Sequence, residues 1–167
     1  MFGWDLETLE DENLIAIIDA CSTKIGLPSN ERYVEIKPFD MNSLLDTIIT
    51  IQDEIDAKRC VVDSTTSLGF LIGDVGKIRI ELLKLSITLE ILGLTSLLTC
   101  EITREGEITR FGVENFVTDG VIVMYYKQVN NMRTHTLEVY KMRGTKHSTK
   151  IHPYEITPSG IVIHPYE

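Results

Sequence analysis

Arg59-Cys60-Val61-Val62-Asp63-Ser64 decides how the rest of the chain is read. Three apolar residues follow a charged helix end and stop at a carboxylate. A short apolar run bounded in this way reads as a strand buried on both faces, as in a parallel sheet. Asp63, at the carboxyl end of that strand, sits where open α/β sheets place their ligands. The plainer alternative is an Asp that caps the next turn.

Upstream, Asp40 is a good N-cap for a helix running to about Ala57. Met41, Leu44, Leu45, Ile48, Ile49, Gln52 and Ile55 follow the three-four spacing of one buried stripe, with Asp53, Glu54 and Asp56 facing out. Lys58 and Arg59 suit a helix C-terminus. Leu14 to Asp19 reads as a buried strand. Residues 22–37 read as a loop with a short strand around Val34 and Ile36. Phe2, Trp4, Leu6 and Leu9 call for a surface to pack on.

Downstream, Ser64 to Gly73 reads as a loop. Val75 to Leu92 alternates apolar and polar residues like a strand, but it is far longer than the usual strand of about five or six residues. Length therefore predicts a largely buried helix, capped by Asp74 and ended by Gly93. Ser96 to Cys100 is a further buried strand. Strand, helix, strand, helix, strand is the order of a parallel sheet with right-handed crossovers. The later half differs. After a charged loop over 101–115 come a strand at Gly120–Tyr125, a turn over Lys127–Arg133, a half-exposed strand at Leu137–Met142 and a last strand at Ile161–Ile163, antiparallel in character. The expected class is α/β, with a largely parallel sheet, helices on its faces and an antiparallel C-terminal part, in a single domain over 1–167.

Composition narrows the function. The net charge of −9 argues against nonspecific binding to nucleic acid or to an anionic membrane. Cys60 and Cys100 lie in apolar runs, which suits reduced thiols in a cytoplasmic protein, and no CxxC pair points to zinc. The first seven residues lack the basic start and apolar stretch of a secretory leader. Ile78 to Leu98 carries Arg79, Glu81, Lys84 and Glu90, too many charges for a membrane span. His135, His147, His152 and His164 fit no ligand spacing.

Several segments carry a resemblance: Cys60-Val61-Val62-Asp63-Ser64, Leu97-Leu98-Thr99-Cys100-Glu101, Phe111 to Ile122, and above all Leu137-Glu138-Val139-Tyr140-Lys141-Met142-Arg143-Gly144-Thr145-Lys146-His147 with Pro153 to Thr157 and Gly160-Ile161. They resemble the KaiC family, a RecA-like branch of the P-loop ATPases, and Phe2 to Glu7 is similar to a stretch in the middle of such a domain. The resemblance implies that Asp63 and Ser64 end the magnesium strand, with Asp63 holding Mg²⁺, usually through water. It also implies that Lys141 and Arg143 reach across a ring interface to the phosphates of a neighbour's nucleotide, with Met142, Thr145 and His147 along the same edge. A Lys point charge and an Arg fork suit phosphate oxygens. Without the resemblance, the same residues read as a solvated edge strand.

No G-x-x-x-x-G-K-[ST] occurs in the 167 residues. Gly73-Asp74-Val75-Gly76-Lys77-Ile78 is a decoy: Leu71 stands where the first Gly belongs and Ile78 lacks a hydroxyl for Mg²⁺. The resemblance therefore implies the later part of a KaiC-like domain, without its P-loop strand and first helix. ATP and Mg²⁺ are expected only where a partner supplies the P-loop, and the chain alone is not expected to be an enzyme. The partner is expected to be a second copy or a P-loop-bearing KaiC-like chain. The alternatives are the C-terminal half of a split ATPase and an inactive gene remnant.

Overall fold

The structure, a computed structural model, describes residues 3–35, 39–103 and 106–166, without the side chains of Thr23 and Lys24. The expectations for Phe2 and Ile36 lie outside the described residues. Contacts divide the chain into two compact units, Asp5–Val117 and Thr118–Glu167 with Met1–Trp4.

In the first unit, Asp5 caps α1 (Leu6–Asp11), its carboxylate accepting from the Thr8 amide at 3.1 Å. β1 (Ile18–Asp19) runs parallel to β2 (Tyr33–Val34) across a 3-10 turn at Ser22–Ile25. The strand expected over 14–19 is thus reduced to its last two residues, and Leu14 is exposed. The cause is local: the Ile15 amide donates to the Leu9 carbonyl and the Ile17 amide to the Glu10 carboxylate, so neither is left for a strand partner.

α2 (Met41–Ile55) starts at Asp40, which accepts from the Asn42 amide, and buries Met41, Leu44, Leu45, Ile48 and Ile51. Ile49, expected in that stripe, is exposed, because the helical period favours Ile51. β3 (Arg59–Val62) follows, then α3 (Thr65–Ile72) where a loop was expected. Ser64 caps α3, and Gly73 ends it in the left-handed region at φ 80°. α4 (Val75–Ile91) is the expected helix, capped by Asp74. It is not largely buried. Ile78, Leu82, Leu85 and Leu89 enter the core, whereas Ile80, Leu83, Ile87 and Ile91 form a second, exposed stripe.

β4 (Thr95–Leu98) pairs in parallel with β3, Val61 opposite Leu97 and Val62 opposite Leu98. Among the described residues β1–β2 and β3–β4 are separate ladders, not the one parallel sheet expected. Val62, Cys60 and Leu98 pack on the core of α2, α3 and α4, while Val61 and Leu97 are 67% and 57% exposed. α5 (Glu114–Val117) closes this unit, with Val113 in the core just before it.

The second unit is one antiparallel sheet, β5 (Gly120–Val129), β6 (Met132–Met142), β7 (His152–Thr157) and β8 (Gly160–Ile163), in that order. The turn expected over 127–133 shrinks to Asn130 and Asn131, both left-handed at φ 47° and 62°. Asn tolerates that region, and a two-residue turn of this kind matches the twist of a hairpin. Val123, Leu137 and Tyr154 are buried, and Tyr126, His135 and Tyr154 stack with centroids 4.4 and 5.0 Å apart.

Candidate functional site

Asp63 lies just past β3, and Thr99 just past β4. The Thr99 amide donates to the Val62 carbonyl at 3.0 Å, and the Thr65 amide and hydroxyl both donate to the Thr99 carbonyl at 2.9 Å. These bonds bring the two strand ends together. The Thr99 hydroxyl donates to Asp63 Oδ1 at 2.6 Å. Asp63 is exposed, and its peptide bond to Ser64 is cis. The cap of α3 is Ser64, whose Oγ accepts from the Ser67 amide at 3.2 Å. The plainer reading of Asp63 as a capping residue therefore fails: its carboxylate is turned to Thr99 and to solvent. An exposed carboxylate at the carboxyl end of a parallel strand, oriented by a hydroxyl, is a hard-oxygen donor that fits the magnesium side of a nucleotide site.

A second group stiffens the same end. Glu114 is buried and accepts from the Phe111 amide at 3.2 Å, the Val113 amide at 3.0 Å and the Cys100 thiol at 3.3 Å. Burial pushes the Cys100 thiol above its ordinary range, so it is a packed thiol and no nucleophile. Thr66 Oγ1 accepts from the Glu101 amide at 3.0 Å. Phe111 lies so close to Gly69 that a Cβ there would overlap its ring. Thr99 and Glu114 carry no signal in the sequence, because only the fold puts them beside Asp63 and Cys100.

The Gly73–Lys77 decoy is a helix–helix junction. Asp74 Oδ1 takes the Lys77 amide at 2.8 Å, which leaves a carboxylate where a phosphate would have to lie.

The remaining predicted residues belong to the antiparallel unit. The β5–β6 register skips one residue, pairing Ile122 with Val139 and Val121 with Lys141, so Tyr140 is bulged. Bulges re-aim the side chains beside them. Lys141 Nζ donates to the Thr118 carbonyl at 2.5 Å. The Arg143 amide donates to the Asp119 carbonyl at 2.9 Å, and its guanidinium to Asp119 Oδ1 at 3.2 Å. Burial and the neighbouring Arg143 hold the Lys141 ammonium below its ordinary range. Lys141 and Arg143 thus converge on residues 118–119. Met142 packs over Gly120 instead. Gly144 turns the chain at φ 64°, Thr145 is exposed, and His147 Nδ1 lies 3.0 Å from the Ser148 carbonyl. Among the described residues no three His, Cys, Asp or Glu side chains gather as a metal site.

The model of the KaiC ATPase family matches residues 1–167. The chain belongs to the KaiC family. It is 39% identical over 166 residues to a UPF0273 protein of Methanocaldococcus jannaschii and 36% identical to another from Aeropyrum pernix, in each case over 98% of its own length. It is 36% identical over 165 residues to the circadian clock oscillator protein KaiC of Parathermosynechococcus lividus. The crystal structure of a KaiC-like protein from Pyrococcus horikoshii superposes with a TM-score of 0.79 at 36% identity. The chain spans 67% and 66% of the two archaeal proteins, 66% of the solved chain and 29% of the clock protein. Its α/β fold, with parallel and antiparallel sheets, is that of the KaiC-like structure. Among the described residues no helix is long and apolar enough to cross a membrane.

Proposed function

We propose that these residues form a non-catalytic KaiC-like module that completes a nucleotide site shared with a partner subunit. Lys141 and Arg143 reach phosphates held by the neighbour, with Thr145 and His147 on the adjoining loop and Met142 bracing Gly120. Asp63, set by Thr99 and flanked by Ser64, supplies the magnesium side of a site whose phosphate-binding loop comes from another segment or chain. The observation that carries the reading is the convergence of Lys141 and Arg143 on residues 118–119, which holds two cations side by side at one sheet end. Two adjacent donors of this kind favour a polyanion. ATP and Mg²⁺ belong to that completed site, where the metal would neutralise developing phosphate charge. The partner is a second copy or a P-loop-bearing KaiC-like chain, in the cytoplasm.

A second reading, the C-terminal half of a split ATPase, draws on a different observation. Parallel strands are normally covered on both faces, yet Val61 and Leu97 lie bare beside each other, and α4 shows a second apolar stripe. A segment bearing the phosphate-binding loop would cover such a face.

Calorimetry separates these readings from self-sufficient nucleotide binding. The isolated chain, titrated with Mg·ATP, should show no tight binding, and its association with a P-loop-bearing KaiC-like protein should strengthen when Mg·ATP is present. Tight one-to-one Mg·ATP binding by the chain alone would overturn the proposal.

A further inference from the structure

We infer that the doubled pentapeptide Ile-His-Pro-Tyr-Glu, at 151–155 and again at 163–167, is a pH-responsive clasp: neutral His152 holds the backbone at Tyr166, and acid releases that hold while leaving the chain docked at His164.

The two copies lie side by side. β7 and β8 pair Tyr154 with Ile163, and the His164 amide extends the ladder by donating to the Pro153 carbonyl at 2.9 Å. There the backbone ladder runs short of donors, because Pro153 and Pro165 have no N–H. The next amide, that of Tyr166, donates to a ring instead: His152 Nδ1, at 3.1 Å. A backbone amide only donates, so Nδ1 carries a lone pair and the neutral ring has its proton on Nε2. Nε2 lies 2.8 Å from Ser148 Oγ and donates to it, and that oxygen also accepts from the Lys150 amide at 3.1 Å. In this tautomer His152 is no base for the Ser148 hydroxyl.

Protonation of His152 adds a second N–H, at Nδ1. Nε2 keeps its proton, so the bond to Ser148 survives and the loop before β7 stays held. The bond from Tyr166 does not survive, because two N–H groups would then face each other. His164, the equivalent residue of the second copy, responds with the opposite sign. Its Nε2 lies 3.6 Å from Glu155 Oε1, an ion pair only while the imidazole is charged. That pair is solvated, with side chains 51% and 70% exposed, so its attraction is slight. The buried His152 is the stronger element of the clasp. Other charges stand around its ring. The loop over 143–151 is basic, with Arg143, Lys146, His147 and Lys150, and β6 brings His135 and Glu138 on either side of Leu137, the register partner of His152.

The test is an NMR titration of the full chain from about pH 8 to about pH 5, the range over which histidines ordinarily change charge. At about pH 8 His152 should carry a proton on Nε2 and none on Nδ1. As the ring charges, the Tyr166 amide should lose protection against hydrogen exchange by about 5-fold, the worth of one hydrogen bond. The Val162 and His164 amides should keep theirs, which shows that β7 and β8 stay paired. His152→Gln offers an amide oxygen that accepts without titrating, so Tyr166 protection should no longer follow pH. His164→Gln should leave the Tyr166 response in place. A proton on Nδ1 at about pH 8, a ring still neutral at about pH 5, or Tyr166 protection unaltered while His152 charges would each overturn the clasp, and the wild-type titration decides this by itself. The same pH response in His152→Gln would overturn it as well.

Discussion

The two units solve the same problem, closing a sheet, in opposite ways. The antiparallel unit does so with its own strands: β5 to β8 follow one another in sequence, and turns of two residues join β5 to β6 and β7 to β8. Among the described residues the parallel ladders of the other unit are two strands each, and β3–β4 leaves Val61 and Leu97 bare. Charge divides the same way. Residues 5–117 hold 21 acidic and 10 basic side chains, a net of −11, whereas residues 1–4 and 118–167 hold four acidic and six basic ones, a net of +2, together with all four histidines. Chain-wide net charge conceals this, since −9 describes neither unit.

The largest effect that would break the comparison lies in the acidic unit, whose stability rests on the helical core. Leu85 is fully buried between the helices, and Leu85→Ala should cost about 2–5 kcal/mol in chemical denaturation. Gly69→Ala should come next, at about 1–3 kcal/mol, because the added methyl must displace the Phe111 ring. A neutral result at Gly69 would mean that α3 and the 110–113 loop are not packed as described.

In the antiparallel unit a single cross-strand bond is the sharper probe. Tyr125 donates its hydroxyl to Glu138, and that bond is the main reason its pKa is pushed up to about 12. A raised pKa means that the folded state holds the proton more tightly. The stabilisation is therefore complete below about pH 10, the unfolded value, and is lost as pH rises toward 12. Tyr125→Phe should lower stability by about 1 kcal/mol at neutral pH and remove this alkaline dependence. The smallest expected effect tests the bare face. Val61→Ser with Leu97→Ser should change the stability of the isolated chain by no more than about 0.5 kcal/mol, because both side chains are already in water. A much larger loss would show that the face is covered.

Legibility in the sequence followed local chemistry and not the divide between the units. Asp40, Asp74 and Gly93 marked the bounds of α2 and α4 correctly, because caps are local chemistry. The last strand after Gly160 was legible for the same reason. α3 was not: Ser64 to Gly73 mixes small polar residues with an apolar run and a central glycine, which masks the caps at Ser64 and Gly73 and the packing of Gly69 against Phe111. The bare stripe of α4 was invisible because burial of its other face depends on what lies next to it. Asp63, Lys141 and Arg143 stand out by residue type and family pattern. The hydrogen bonds made by the side chains of Thr99, Glu114 and Asp119 are not legible in the sequence, because they exist only once each unit has folded.

The most direct measurement is ATP turnover by a P-loop-bearing KaiC-like partner mixed with this chain or with its Arg143→Ala form. The account predicts that the wild-type chain raises the partner's turnover and that Arg143→Ala removes most of the increase, on the order of 10²-fold where the guanidinium meets the transferring phosphate. Equal stimulation by both forms, with binding to the partner unchanged, would contradict it.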